Sequence, residues 1–502
     1  MSALLFSTLE LASGAALAGI VILADALCLP RARGRFGLRS APGTAVLMAC
    51  AGLGFGMALM LTGALVTSAA LVATLAALLA LVSNIKNKVL GEPLVFSDFA
   101  LIGAVFQHPH FYVSALRGWQ IALIIAAAAG MAAILAGFSA LGWAARAGGL
   151  VLAVAAGAVL LGLLRLPLWH TVRQRPDVQR DVRAHGLLAT LLVHWTGWRR
   201  QPDPAPCTSP PMAADAAPLV IIVQCESFTD PADLVGDLAC PMPGLAAART
   251  LAQHRGRLLV PGFGAYTMRT EYGVLFGRSE EALGLRKFDP FLTAHREASF
   301  CLPRRLCDQT WQSLFVHPHD LRFYGRDRLM VAAGFGALVG DDAFSPPAPG
   351  AGRYVSDAAV ADAIIALAEQ ADKATLIYAV TIENHGPWPV PKGDAAAAGE
   401  APYWQLVRNS DAMLARLVGF ARACGRPVTL CFFGDHRPSI PGVSEPGDAR
   451  HTPYVVINFD AAGQPVASAP ADAPADADLT PAQLHHLILG AIGQYGSGPR
   501  QG

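Results

Sequence analysis

Charge is what this sequence has least of. Only 15% of its 502 residues are Asp, Glu, Lys or Arg, and 38 basic against 37 acidic side chains leave a net charge of +1. Nothing in that balance argues for a nucleic-acid partner, which needs a basic surplus. Paired cysteines are scarce as well. The nine Cys form no CxxC or zinc-knuckle spacing, so thiolate is not the expected metal ligand. Cys225 and Cys431 lie inside apolar runs and read as packed thiols, and Cys301 and Cys307 could pair. No internal repeat is apparent.

What the sequence has in place of charge is apolar length. It is 53% hydrophobic with a mean hydropathy of +0.40, above the range of ordinary soluble domains. The excess is concentrated: residues 40–85, 118–145 and 147–164 carry no charged side chain. A helix needs about 20 apolar residues to cross a bilayer, which predicts five spans near 11–30, 43–64, 66–84, 119–141 and 148–168. Recurrent runs exclude a cleaved leader ahead of a soluble enzyme. The expected organisation is a transmembrane block over 1–170, a linker over 171–217 containing Gln201-Pro-Asp-Pro-Ala-Pro, a catalytic domain over 218–495 and a tail over 496–502. The Ala/Asp/Pro-rich stretch 460–478 reads as a surface insertion.

The second half alternates strand and helix patterns, which predicts an α/β domain with a mostly parallel sheet covered on both faces. Leu219–Cys225 is a β-branched run that ends at Glu226. Further strands are expected at 313–317, 375–382, 428–433 and 454–459. Helices are expected at 357–370 behind Ser356, at 403–424, and at 481–493 behind Thr480. Strand after strand ends in ligand chemistry: Glu226, His317, Glu383-Asn384-His385 and Gly434-Asp435-His436. Ligands collect beyond the carboxyl ends of such strands, and carboxylate with imidazole suits Mn²⁺, Mg²⁺ or Zn²⁺. The nucleophile candidate is Thr267, where a Gly-rich turn (Gly262-Phe-Gly-Ala-Tyr) enters an apolar-periodic segment. A helix N-terminus there favours a phosphate or an alkoxide, and a divalent cation makes a Thr hydroxyl a competent nucleophile.

Taken in order, Glu226, Thr267-Met-Arg-Thr-Glu-Tyr, His317, Phe-Tyr-Gly-Arg-Asp327, Asn-His385 and Gly-Asp-His436 resemble the lipoteichoic acid synthase and phosphoglycerol transferase branch of the sulfatase/alkaline phosphatase superfamily. The loop Lys88-Val-Leu-Gly-Glu-Pro-Leu-Val-Phe-Ser-Asp98 is similar to one found between membrane segments in Gram-negative members. The resemblance implies one catalytic cation, expected to be Mn²⁺ with Mg²⁺ or Zn²⁺ as alternatives, held by Glu226, Thr267, Asp435 and His436, with Thr267 as nucleophile and His385 as proton donor and acceptor. It implies that Arg326, His317 and Tyr324 line the glycerol-phosphate pocket, with Tyr324 standing where the family often has Trp, and that His451 contacts phosphate. Glu271 is expected to brace the Thr267 helix.

The implied reaction moves phosphoglycerol from a phosphatidylglycerol-like lipid to an envelope glycan or a polyglycerol phosphate chain. The alternatives on the same fold are phosphoethanolamine transfer and a sulfatase or phosphodiesterase hydrolysis. Against them stand the poor prospects for cysteine pairing, the Tyr-Gly-Arg-Asp motif and the absence of C/S-x-P-x-R around Thr267. The family places the catalytic domain on the outer (periplasmic) side of the inner membrane. The four Arg of loop 31–39, counted over five spans by the positive-inside rule, place it in the cytoplasm.

Overall fold

The computed structural model describes residues 2–33, 38–101, 143–214, 217–235, 240–348, 352–388, 402–447, 449–466 and 476–495, with a few positions between 118 and 130. The chain forms two compact units that divide between Gln201 and Pro202.

In the first unit, α2 (Ala41–Thr62), α3 (Leu65–Leu90) and α4 (Trp143–Arg165) answer three of the five expected spans, and α1 (Ser2–Leu27) overlaps a fourth. The fifth, 119–141, lies largely outside the described residues. Among those described, α2, α3 and α4 are long and apolar enough to cross a membrane, and α1 is apolar over Gly14–Leu27. Helices in lipid associate through small residues that let backbones approach. Gly56 of α2 and Gly149 of α4 do this, because a Cβ on Gly56 would stand 2.5 Å from the Ala153 nitrogen.

The segment from His170 to Trp198, expected within the linker, is helical instead. It contains α5 (Val178–His185) and α6 (Leu187–Trp198) and packs inside the first unit. Its Arg and His content hides a buried stripe of Val172, Val178, Val182, Leu187 and Val193. Arg39 also differs from expectation. It is buried and bound to Asp25 at 3.3 Å and to the carbonyls of Asp25, Cys28 and Pro30, so one of the four Arg in loop 31–39 serves packing.

In the second unit, seven strands among the described residues form one sheet in the order β2-β7-β6-β1-β5-β3-β4. They are β1 (Leu219–Cys225), β2 (His254–Leu259), β3 (Trp311–Val316), β4 (Ala337–Val339), β5 (Ala374–Val380), β6 (Val428–Gly434) and β7 (His451–Phe459). β6, β1, β5, β3 and β4 run parallel, and β7 is antiparallel to both β6 and β2. Every residue of β1, β5 and β6 is buried, as continuous apolar runs require when helices cover both faces.

One face packs on α9 (Asp357–Glu369) and α10 (Pro402–Ala423) through Ile221, Val223, Val360, Ile364, Leu414 and Leu417. Three further helices bear on the site: α7 (Thr267–Phe276), α8 (Arg326–Ala332) and α11 (Pro481–Gly493). α7 lies tightly on α11, where a Cβ on Gly273 would meet the Pro481 side chain at 2.5 Å. β2 and β4 are additional to the expected strands. All nine cysteines are free, so Cys301 and Cys307 do not bridge.

Candidate active site

The strand ends deliver their polar residues to one edge of the sheet. β1 ends at Cys225, and Glu226 follows it. β6 ends at Gly434, and Asp435 and His436 follow. The Gly is required by close approach, because a Cβ at 434 would stand 2.0 Å from the Phe228 carbonyl oxygen. Facing these ends, Tyr266 takes a left-handed conformation (φ 74°) that turns the chain into α7, so Thr267 is the first residue of that helix.

Glu226, Asp435 and His436 are all buried and each offers a ligand atom within 4.8 Å of the others. His436 Nε2 stands 3.4 Å from Glu226 Oε1 and 3.5 Å from Asp435 Oδ2. The Thr267 hydroxyl donates to Glu226 Oε2 at 3.3 Å. The structure therefore brings together all four residues expected to hold a cation.

The electrostatics of the cluster suit a positive charge. Burial, reinforced by the neighbouring Glu226, pushes the Asp435 carboxyl up to about 7. Burial also works upward on Glu226, but the bond and charge of His436 outweigh it and hold Glu226 at about 2. Burial pulls His436 down, yet Asp435 and Glu226 beside it prevail and lift it to about 9. Asp435 Oδ2 is buried and has no hydrogen-bond partner among the described residues. Two buried carboxylates and an imidazole around an orphaned oxygen fit a hard divalent cation.

Several residues that sequence reasoning did not find hold this cluster. Ser227, at φ 47°, donates its backbone N–H to Asp435 Oδ1 at 2.7 Å and its hydroxyl to Glu226 Oε1 at 2.8 Å. Gln224 donates from Nε2 to the Thr267 carbonyl at 3.3 Å and accepts from the Tyr378 hydroxyl at 2.7 Å. Thr270, one turn into α7, donates to the Asp435 carbonyl at 2.7 Å. The only sequence signal for Ser227 and Gln224 is that they flank the strand end.

On the β3 side, His317 is buried and its Nδ1–H donates to the Val380 carbonyl at 2.9 Å, which leaves Nε2 facing Arg326 Nη1 at 3.5 Å. Burial, with Arg326 adding to it, holds His317 well below the usual imidazole range. Arg326 opens α8 and is buried. Its Nε and Nη2 edge is taken by Glu271 at 2.6–3.2 Å, so Glu271 braces Arg326 as well as sitting in α7. Tyr324 is half-buried at φ 60°, and the Arg326 guanidinium lies 5.2 Å from its ring centre. His385, half-buried beyond β5, donates from Nδ1 to the Gly386 carbonyl at 2.8 Å, which makes Nε2 its basic nitrogen.

His451 stands apart, at the start of β7. Its Nε2 accepts from Arg437 at 2.7 Å, and Asp233 lies 3.4 Å away. Its link to the cluster among the described residues runs through Arg437, the residue after His436. Burial and Arg437 draw its pKa downward.

Comparison with known proteins adds the following. The sulfatase family matches residues 218–491. A capsular polysaccharide biosynthesis protein, RkpI, of Rhizobium meliloti (strain 1021) is 30% identical over 405 residues, covering 75% of this chain and 74% of that protein. Among solved structures, the lipooligosaccharide phosphoethanolamine transferase A of Neisseria meningitidis aligns over 91% of this chain and 96% of its own at 12% identity (TM-score 0.46). The Streptococcus pyogenes phosphoglycerol transferase GacH, in complex with sn-glycerol-1-phosphate, aligns over 56% and 85% at 14% identity (TM-score 0.39).

Proposed function

Because this chain belongs to the sulfatase family, we propose that it is a membrane-bound, metal-dependent phosphoglycerol transferase that uses Thr267 as its nucleophile. The observation that carries this reading is the Thr267 hydroxyl. It sits at a helix N-terminus, 3.3 Å from Glu226 and inside a buried carboxylate–imidazole cluster. A buried side-chain hydroxyl in that place supports a covalent intermediate, which an acceptor hydroxyl then discharges.

A divalent cation, Mn²⁺ in our reading, bound by Glu226, Thr267, Asp435 and His436 would lower the hydroxyl pKa and offset charge on the phosphoryl oxygens. Thr267, its hydroxyl proton released to solvent, then attacks the phosphorus of a phosphatidylglycerol-like donor as the alkoxide, the form in which it leaves again in the second step. The new P–O bond forms as the bond to the diacylglycerol oxygen breaks, and His385 Nε2–H gives that oxygen its proton. The first N–H groups of α7 stabilise the phosphoryl charge. Arg326 Nη1, neutral His317 Nε2 and the Tyr324 ring hold the glycerol phosphate. In the second step His385, now neutral, takes the proton of an acceptor hydroxyl that attacks the phosphothreonine, and Thr267 leaves. A membrane block suits a lipid donor, and a capsular polysaccharide biosynthesis relative supports an envelope glycan as acceptor, with the catalytic domain outside the inner membrane.

The test is turnover of fluorescent phosphatidylglycerol by purified full-length protein. Diacylglycerol release is expected to need added Mn²⁺, to vanish in Thr267→Ala and to exceed release from phosphatidylethanolamine. Release that persists in Thr267→Ala overturns the reading, and preference for phosphatidylethanolamine replaces it with phosphoethanolamine transfer.

A further inference from the structure

The proposed donor pocket lies on the β3 side of the metal cluster, and the opposite flank of the same sheet edge holds a second opening. β7 runs antiparallel to β6 and β2 antiparallel to β7, with Leu259 opposite His451. The start of β7 and the end of β2 therefore stand at the edge that carries Asp435 and His436. Neighbouring strands are about 5 Å apart, so these ends lie roughly one and two strand spacings from the metal ligands.

A cleft of about 530 Å³ opens there, and His451 forms part of its wall. The opening is tied to the site by two routes. Arg437, next to His436, donates to His451. The loop from Val260 to Tyr266, which leads to Thr267, is pinned by a bond from the Gly264 N–H to the Arg437 carbonyl at 2.8 Å.

The lining has a definite chemistry. Two guanidiniums (Arg257 and Arg450), two carboxylates (Glu280 and Asp478) and the apolar Leu259 and Pro261 are among its lining residues. Two guanidiniums against two carboxylates leave the walls without net charge. Arg257 grips Asp478 at 2.7–3.2 Å on the exposed rim, and Leu259 is 44% exposed. A sugar ring needs this combination: an apolar surface for its C–H face and planar charged groups that bond vicinal hydroxyls in pairs. A polyglycerol phosphate chain is a poor match, because its phosphates would meet Glu280 and Asp478 without a cationic surplus to offset them.

We propose that this cleft is an acceptor subsite that binds a neutral sugar unit of the receiving glycan, so that an adjoining unit presents its hydroxyl at the metal edge. The proposal rests on the transferase reading for the meaning of acceptor, but the binding itself does not depend on turnover.

The experiment uses full-length protein in detergent. The probes are neutral oligosaccharides released from the envelope of the producing cell and, as the anionic rival, polyglycerol phosphate. Two variants are compared with wild type: Arg257→Ala with Asp478→Ala, which keeps the walls neutral, and Glu280→Gln. Binding is read by saturation-transfer NMR and calorimetry, and acceptor-free diacylglycerol release from phosphatidylglycerol is read alongside as a check on folding. The expected result is neutral-oligosaccharide binding weakened tenfold or more in both variants, a matching rise in acceptor KM, and unchanged acceptor-free release. Unchanged oligosaccharide binding in the variants overturns the proposal, as does polyglycerol phosphate that binds wild type more tightly and is lost in the variants. Oligosaccharide binding that is variant-sensitive in a protein releasing no diacylglycerol supports the cleft and overturns the transferase reading instead.

Discussion

Arg326 grips Glu271 through Nε and Nη2 at 2.6–3.2 Å, with both side chains buried. The pair ties the first residue of α8 to the middle of α7, and so joins the proposed substrate guanidinium to the helix that presents Thr267. One edge of the guanidinium is spent on this tie, and Nη1, beside His317, is the edge turned to substrate in our reading.

Removing Glu271 leaves a buried guanidinium unpaired, a change that costs about 3–5 kcal/mol in comparable cases. Glu271→Ala is therefore expected to lower the unfolding free energy by that order. Glu271→Gln keeps one hydrogen bond and is expected to lose less. Denaturant melts of the two variants, read by near-UV circular dichroism, check the order.

Ser227 touches both cluster carboxylates. Its hydroxyl bond to Glu226 orients a proposed ligand, and changes of this kind usually weaken metal affinity by about 10–100-fold. Ser227→Ala is expected to raise the Mn²⁺ concentration needed for half-maximal turnover within that range, with the rate at saturating Mn²⁺ little changed. A titration of activity against Mn²⁺ in both proteins measures this.

Asp357 gives a pH prediction away from the cluster. It is fully buried at the start of α9, its Oδ2 accepts from Ser410, and its Oδ1 has no hydrogen-bond partner among the described residues. Burial, with Glu383 adding to it, pushes its carboxyl up to about 7 from 3.8. The folded state therefore holds a proton that the unfolded chain has released between those values, and stability contributed by this group falls as pH rises from about 4 to 7. Asp357→Asn, which cannot ionise, is expected to be more stable than wild type at pH 8, by a few kcal/mol at most, with the gain shrinking toward pH 4. Thermal melts of both proteins across that range test the trend.

These predictions also show which parts of the site the sequence made legible. The strand runs ending in Glu226 and Asp435-His436 were readable because a buried parallel strand needs an unbroken apolar run and its carboxyl end is where ligands gather. Thr267 was readable because a Gly-rich turn before a periodic segment marks a helix start. Ser227 was not, since its partner Asp435 lies 208 residues away and only folding brings them together. β2 escaped because it is an edge strand, His-Arg-Gly-Arg-Leu-Leu, whose polar residues face solvent and break the apolar pattern. The helices of 178–198 escaped for a similar reason, as Arg and His conceal their buried stripe. Arg326 was found, but its bond to Glu271 was not, so the cost of removing either residue became visible only in the structure.

The most direct measurement is mass spectrometry of the protein after brief incubation with phosphatidylglycerol and Mn²⁺ without acceptor. Our reading predicts a glycerophospho group on Thr267, formed in step with released diacylglycerol and discharged when acceptor glycan is added. Diacylglycerol release with an unmodified Thr267, or an adduct on any other residue, would contradict it.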